Sequence, residues 1–454
     1  MITPAMSSLR IFRDVQTARS TILRRQPVAE ATATPEVAER LRQVFSEALS
    51  PAEAVDRILA AVKADGDAAV RDLTRRIDGM EIEDFAVTDE EFTAARQSLA
   101  PGLIAAMERA AERIAAFHRR QLRSSWLDVA GDSILGQLIR PLDRVGIYAP
   151  GGRAVYPSTV LMQAVPAKIA GVREIIVATP PRADGHAAAA VLVAAQIAGV
   201  DRVFKVGGAQ AIAALAYGTR TIPRVDKVVG PGNIFVALAK RRLFGEVGID
   251  QVAGPTETLL IADDDADAAF VAADLLAQAE HDPLASPILL TPSLRLAIAV
   301  DVEVERRLAS LPTAAVAKVA LANRGGAVVV DSVEQAVTLA NEYAPEHLCL
   351  LVSDPWRHLP LVRNAGGVFM GERSPETMGD YVAGPSHVMP TSGTARFSSA
   401  QSTDDFLKIT NLVALSEGDF AALAADAITL AEAEGLYAHA EAIKARLRKG
   451  GQGG

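Results

Sequence analysis

At 454 residues, 50% of them hydrophobic, the chain is too long for one apolar core and should form two principal domains with appendages. Its 46 basic against 55 acidic residues give a formal charge of -9, which argues against non-specific nucleic-acid binding and favours a small-molecule partner. The opening MITPAMSSLRIFRDVQ lacks a secretory pattern, no apolar run reaches membrane-spanning length, and the single cysteine, Cys349, has no intramolecular disulfide partner. A cytoplasmic protein without membrane contact is expected.

Residues 1-33 form an N-terminal segment without clear periodicity. From Thr34 to Gln121 apolar residues recur at three and four positions, as in PEVAERLRQVFSEAL and PGLIAAMERAAERIAAFHRRQ, which predicts helices. Near Val145 the pattern changes to short β-branched runs closed by glycine or proline. EIIVATPP, RVFKVGG and KVVGPGN read as buried strands, AAAAVLVAAQIAG and AQAIAALAYG as the helices between them: a parallel α/β unit. A second series runs from TLLIADD through FVAADLLAQAEH, SPILLTP, GGAVVVDS, EQAVTLANEY and HLCLLVS to GGVFMGE.

The fold expected is therefore α/β, with two doubly wound Rossmann-like units flanked by helical N- and C-terminal appendages. Residues 148-255 are assigned to a smaller unit inserted into a larger domain of residues 34-147 and 256-400. Residues 401-454 form a helical tail, with GGQGG disordered at its end.

The seven histidines separate by neighbourhood. His118, His186 and His358 read as surface or capping residues. Gln278 and His281 lie three apart near the end of a helix, so they project from one face. They suit a borderline metal such as zinc, or they are simply a polar helix end. Asp380 and His387 sit in GDYVAGPSHVMPTSGT, after the strand GGVFMG, where a parallel sheet presents ligand-binding groups at its C-terminal edge; the same residue types also build turns. Glu346 and His347 follow Tyr343, Ala344 and Pro345 into an apolar strand. A histidine there can take a proton from an alcohol and the carboxylate can activate water, unless the pair is a salt-bridged strand end. Strand neighbours point to opposite faces, so joint action needs a bend at Pro345. Cys349 reads as a small buried hydrophobe.

No GxGxxG is present. YAPGG at Tyr148-Gly152, VGGAQ at Val206-Gln210 and GPGN at Gly230-Asn233 are glycine-bearing loops after strands, where backbone amides and helix starts favour phosphates. They make the smaller unit the candidate nucleotide holder, as a variant Rossmann arrangement.

QAEH, NEYAPEHL, GDYVAGPSHV and GLYAH occur in the order found in histidinol dehydrogenases. The chain resembles that family from Val145 to His439, most specifically in AGPTETLLIADDDADAAFVAADLLAQAEH. The resemblance implies one zinc ion per subunit on Gln278, His281, Asp380 and His439, and an acid-base pair at Glu346 and His347. Substrate contacts would fall on Thr256, His387 and Glu434 together with His347 and the four zinc ligands, and NAD contacts on Tyr148, Gln210 and Asn233. It further implies a homodimer in which the partner's C-terminal tail delivers Glu434 and His439, and oxidation of L-histidinol to L-histidine through the aldehyde with two NAD. The alternative is a related zinc and NAD enzyme acting on another small alcohol, such as a sulfonated diol; GLYAHAEAIKARL and TARFSS favour the histidinol enzyme.

Overall fold

A computed structural model describes residues 8–25, 35–130, 132–151 and 155–450; Gly152 and the terminal residues 451–454 of GGQGG lie outside them. The strands are β1 (Ile11–Phe12), β2 (Trp126–Ala130), β3 (Ser133–Pro141), β4 (Arg144–Tyr148), β5 (Glu174–Thr179), β6 (Arg202–Lys205), β7 (Lys227–Val229) and β8 (Gly248–Ile249). They continue with β9 (Glu257–Ala262), β10 (Ser286–Thr291), β11 (Gly326–Val329), β12 (His347–Leu351), β13 (Gly367–Met370) and β14 (Leu407–Ala414). The chain divides into two compact units, one of residues 1–121 and 142–406, the other of residues 122–141 and 407–454.

The first unit holds two wholly parallel sheets, in the orders β6-β5-β4-β7-β8 and β1-β11-β10-β9-β12-β13. Every residue of β9, β10 and β12 is buried, which is why these strands read as continuous apolar runs: helices cover both faces of the sheet. Alternation then sorts the side chains. Leu260, Leu289, Ala327, Cys349 and Leu351 pack under the helices Ala268–Ala279 and Leu294–Leu308. Leu259, Ile261, Ile288, Leu348 and Leu350 face the helix Val333–Tyr343. His347, two residues before Cys349, belongs to the face of the helix Ala268–Ala279. β1 pairs with β11, and the chain next joins this sheet at β9.

Residues 34–147 were expected to pack with the larger sheet. The structure instead lays the helices Pro51–Asp65 and Asp67–Asp78 on the five-stranded one, where Val55, Ile58, Val70 and Leu73 share a core with Ile176, Phe204, Ile212 and Leu215. Residues 85–87 also cover the β6 edge, through Lys205 N to Phe85 O (2.7 Å) and Val87 N to Val203 O (2.9 Å). Helical periodicity shows that a helix has a face to bury, not which sheet receives it. His118, expected at the surface, is buried, with Nδ1 2.6 Å from Gln121 Oε1. His358 is also buried, and His186 is exposed beside Glu91 at 2.9 Å.

The second unit adds a sheet that the sequence reading lacks, antiparallel in the order β14-β3-β2. Its helices Glu417–Ala433 and Tyr437–Gly450 pack on one another. Ser133 accepts the Ser416 N–H at 2.8 Å and contacts Asp419, tying the first helix start to β3. Among the described residues no helix is long and apolar enough to cross a membrane.

The joint core of the amino-terminal helices and the five-stranded sheet predicts that Phe204→Ala costs about 3–5 kcal/mol. Guanidinium denaturation should show this as an earlier unfolding midpoint; an unchanged midpoint would deny Phe204 a role in that core.

Candidate active site

The helix Val333–Tyr343 ends at Ala344, whose φ of +53° is left-handed and strained for a residue with a Cβ. Arg25 holds the turn: its Nε donates to Tyr343 O at 2.8 Å, one Nη donates to Ala344 O at 2.9 Å, and the guanidinium lies 3.5 Å from the centre of the Tyr343 ring. It also pairs with Glu257, whose Oε1 accepts the Ser392 N–H at 2.9 Å. The turn places Glu346 in a bend just ahead of β12, and His347 as the first strand residue, in register with Thr258 and Gly367.

Both residues close on one segment of chain. Glu346 Oε2 accepts from Thr256 Oγ1 at 2.7 Å and from Glu257 N at 3.0 Å. His347 Nδ1 lies 3.0 Å from Glu257 O. A carbonyl only accepts, so Nδ1 carries the proton of the neutral ring and Nε2 its lone pair. Nε2 is buried without a hydrogen-bond partner, 3.6 Å from Asp380 Oδ1. The ring stacks on Phe369 at 5.7 Å.

Gln278 is buried on the helix Ala268–Ala279, and its amide contacts Thr256 Oγ1. With the amide nitrogen turned toward Glu376 Oε1, 2.9 Å away, it donates to that carboxylate. Burial raises Glu346 and Glu376 to about 7 and Asp274 to about 6. Burial alone would lower His347, but Glu346, Glu376 and Asp380 outweigh it and raise the ring to about 10. For Asp380 burial is likewise outweighed, by His347, His387 and His281, and its carboxyl is lowered. His387 is lowered by burial; Nδ1 meets Asp380 O at 2.9 Å and Nε2 faces Thr159 Oγ1 at 3.4 Å. Burial, with Glu376 beside it, pushes the Cys349 thiol well up, so it is no thiolate nucleophile at neutral pH.

Thr256, Gln278, Glu346, His347, Asp380 and His387 thus meet on one side of the six-stranded sheet. They meet at the N-terminal ends of β9 and β12, not at the C-terminal edge inferred for Asp380 and His387. His281 is exposed one turn after Gln278 and acts electrostatically on Asp380. Glu434 and His439 belong to the second unit and are exposed.

The loops of the smaller sheet occupy its C-terminal edge, where β4 and β7 adjoin and the strand order reverses. Tyr148 ends β4, and its hydroxyl accepts the Gly208 N–H at 3.0 Å. Gln210 is buried in the first turn of the helix Gly208–Tyr217. Asn233 caps the helix Ile234–Leu243, accepting Phe235 N at 3.1 Å and Val236 N at 3.2 Å. Gly230 has φ +116°, and a Cβ there would stand 2.3 Å from Tyr148 O.

A family model for histidinol dehydrogenase matches residues 42–447. The histidinol dehydrogenase of Moorella thermoacetica is 54% identical over 395 residues, 86% of this chain and 93% of the relative. That of Deinococcus radiodurans is 52% identical over 414 residues, 91% and 94% of the two chains. The solved histidinol dehydrogenase of Elizabethkingia anophelis superposes with a TM-score of 0.89 at 34% identity, covering 98% of this chain and 99% of that one. This chain belongs to the histidinol dehydrogenase family.

Within this histidinol dehydrogenase fold, Glu376, Arg25 and Glu257 were missed in the sequence. Glu376 stands one helical turn before Asp380, a spacing that was available as a signal. Arg25 reaches the site from 232 positions away in sequence, and nothing local marks it.

The raised groups set a pH dependence. Glu346 and Glu376 go from 4.5 to about 7 and His347 from 6.5 to about 10 on folding. Across that range the native state holds more protons than the unfolded chain, so stability falls as pH rises. Chelator-treated protein should melt at steadily lower temperature from about pH 5 to about pH 9, with Glu376→Gln flattening the acidic part of the slope. A melting temperature that climbed over the same range would contradict this charge arrangement.

Proposed function

We propose that this protein is a zinc- and NAD-dependent histidinol dehydrogenase that oxidises L-histidinol to L-histidine through the aldehyde, with two NAD consumed per substrate. The observation that carries the reading is the Glu346–His347 pair, both held on Thr256 and Glu257 with His347 Nε2 turned toward Asp380. His347 Nε2 is the base that takes the hydroxyl proton of the alcohol, and later that of the hydrated aldehyde. The fixed Nδ1–H keeps the ring in that tautomer. Glu346, raised toward neutrality by burial, helps water add to the aldehyde. Thr256 and His387 hold polar groups of the substrate. Retaining the aldehyde in one pocket keeps it from solvent between the two oxidations.

The donors proposed for zinc are Gln278, His281, Asp380 and His439, whose amide, imidazole and carboxylate groups suit that ion. Among the described residues of a single chain, no three His, Cys, Asp or Glu side chains gather closely enough to hold a metal. A set completed by His439 of the partner subunit accommodates that finding, with Glu434 of the partner subunit reaching the substrate. Exposed Leu423, Leu430 and Tyr437 on the tail helices and Leu436 between them support burial of this surface against a second copy. Bound zinc would supply Lewis-acid polarisation of the alcohol oxygen and NAD the hydride acceptor. Tyr148, Gln210 and Asn233 are the proposed NAD contacts, and the cytoplasm is the proposed location.

The decisive assay counts NADH formed per limiting L-histidinol in zinc-restored protein. Two equivalents, abolished by chelation, are expected; one would refute the double oxidation, and none, with turnover of a sulfonated diol, would replace the substrate assignment.

The division of roles is tested separately. His347→Ala should abolish turnover while zinc content stays at about one per subunit, whereas His439→Ala should lose zinc as well. Equal zinc loss in both variants would sink the assignment of His347 as base rather than ligand.

A further inference from the structure

At the C-terminal edge of the five-stranded sheet three polar side chains converge with hydrogen-bonding capacity unspent. Gln210 donates Nε2 to Asp78 Oδ2 at 3.3 Å, and its own buried Oε1 has no partner. Tyr148 accepts the Gly208 N–H at 3.0 Å, and its hydroxyl is pushed up to about 12, by burial first and by the nearby charge of Asp78 as well. Asp78 is the last residue of the helix Asp67–Asp78, where the helix's own carbonyls disfavour a negative charge. Burial raises its carboxyl to about 6. The cation acting on it is Arg40, whose guanidinium also donates to Ile77 O at 2.7 Å. Tyr148 and Gln210 are buried and Asp78 is half-buried, so the carboxylate is the member of the three that an arriving ligand meets. A half-buried acid at a helix C-terminus costs stability, which is the pattern of a group kept for a ligand.

Doubly wound sheets that bind dinucleotides commonly place a carboxylate beyond the second strand, where it accepts a ribose hydroxyl. Here β5, the second strand of the smaller sheet, runs into Pro180 and Pro181. The next acid, Asp184, caps the His186 N–H at 3.0 Å. The position is empty of an available acid, and the helical segment docked on the sheet brings Asp78 to the same edge instead.

We propose that Asp78 accepts the ribose hydroxyls of the dinucleotide cofactor and thereby selects NAD over its 2′-phosphorylated form. This rests on the reading that the enzyme uses a nicotinamide dinucleotide at Tyr148, Gln210 and Asn233. A vicinal diol offers two O–H donors to the two carboxylate oxygens, and the bonds are charge-assisted. A phosphate in place of one hydroxyl sets negative charge against negative charge.

The test is Asp78→Asn in the full-length, zinc-restored protein, with kcat and KM measured for NAD, NADP and L-histidinol, and NAD binding followed directly by calorimetry. Loss of a hydrogen bond to a charged group should raise KM and Kd for NAD roughly 10- to 100-fold. KM for L-histidinol should not move, and the NADP to NAD ratio of kcat/KM should rise at least about tenfold. Asp78→Glu should recover part of the preference. Unchanged NAD affinity and unchanged cofactor ratio in Asp78→Asn would overturn the proposal while leaving the NAD reading intact. So would parallel losses for NAD, NADP and L-histidinol with a lowered melting temperature, which would make Asp78 a packing residue. Failure of the unsubstituted protein to bind or reduce either dinucleotide would instead overturn the cofactor reading, and this proposal with it.

Discussion

The site depends on the backbone of Glu257 being held at both ends. Its N–H is taken by Glu346 and its carbonyl by His347 Nδ1, so two consecutive residues at the start of β12 are locked onto one residue of β9. Neighbours on a regular strand diverge to opposite faces; the bend at Glu346, ahead of β12, lets both converge. The Glu257 side chain secures the arrangement from behind, through Arg25 and the Ser392 N–H. Arg25 in turn occupies the carbonyls of the strained turn at Ala344. Strain at that turn and order at Glu346 and His347 are therefore sustained by one guanidinium contributed from the amino-terminal segment.

The two parallel sheets use opposite edges. The glycine loops lie beyond the C-terminal ends of the smaller sheet, whereas Thr256, Glu346 and His347 lie at strand beginnings in the larger one. The connection between them is short and tied along its length. Asp250 pairs with buried Lys240 and accepts the Gly230 N–H at 2.8 Å. Gln251 donates to Met389 O at 2.7 Å, and Gly254 N donates to Thr391 Oγ1 at 2.7 Å. Five residues thus carry the chain from the GPGN loop's anchor at Asp250 to Thr256, and neither end moves without breaking a buried polar contact, which is costly. The glycine loops of the first sheet and the Glu346–His347 pair of the second are held to a common frame.

What the sequence disclosed follows from range. The buried strands were legible because a doubly covered parallel sheet writes itself as unbroken apolar runs, and Gln278 and His281 because three residues on a helix share a face. Glu346 and His347 were visible as two titratable groups next to Pro345, although the bend that unites them was only a requirement. Less local features were hidden. β3 and β14 pair across 266 positions at Pro141 and Leu407, and β14 is largely exposed, so no apolar run announced that sheet. The docking of the amino-terminal helices on the smaller sheet depends on Phe204 and Leu215, which no helical pattern near Val55 can encode. Glu376 was overlooked because an acid in a turn-rich stretch reads as solvated, while folding buries it to 1% exposure.

That buried acid clarifies why the centre is built as it is. Glu346, Glu376 and Asp380 surround a single histidine, and their combined field holds the His347 proton more tightly than a general base requires. Such a field is a poor setting for a base. With the zinc proposed at Asp380 in place, its positive charge would offset that field and ease release of the proton from Nε2. On that reading the negative charge around His347 and its role as base are compatible.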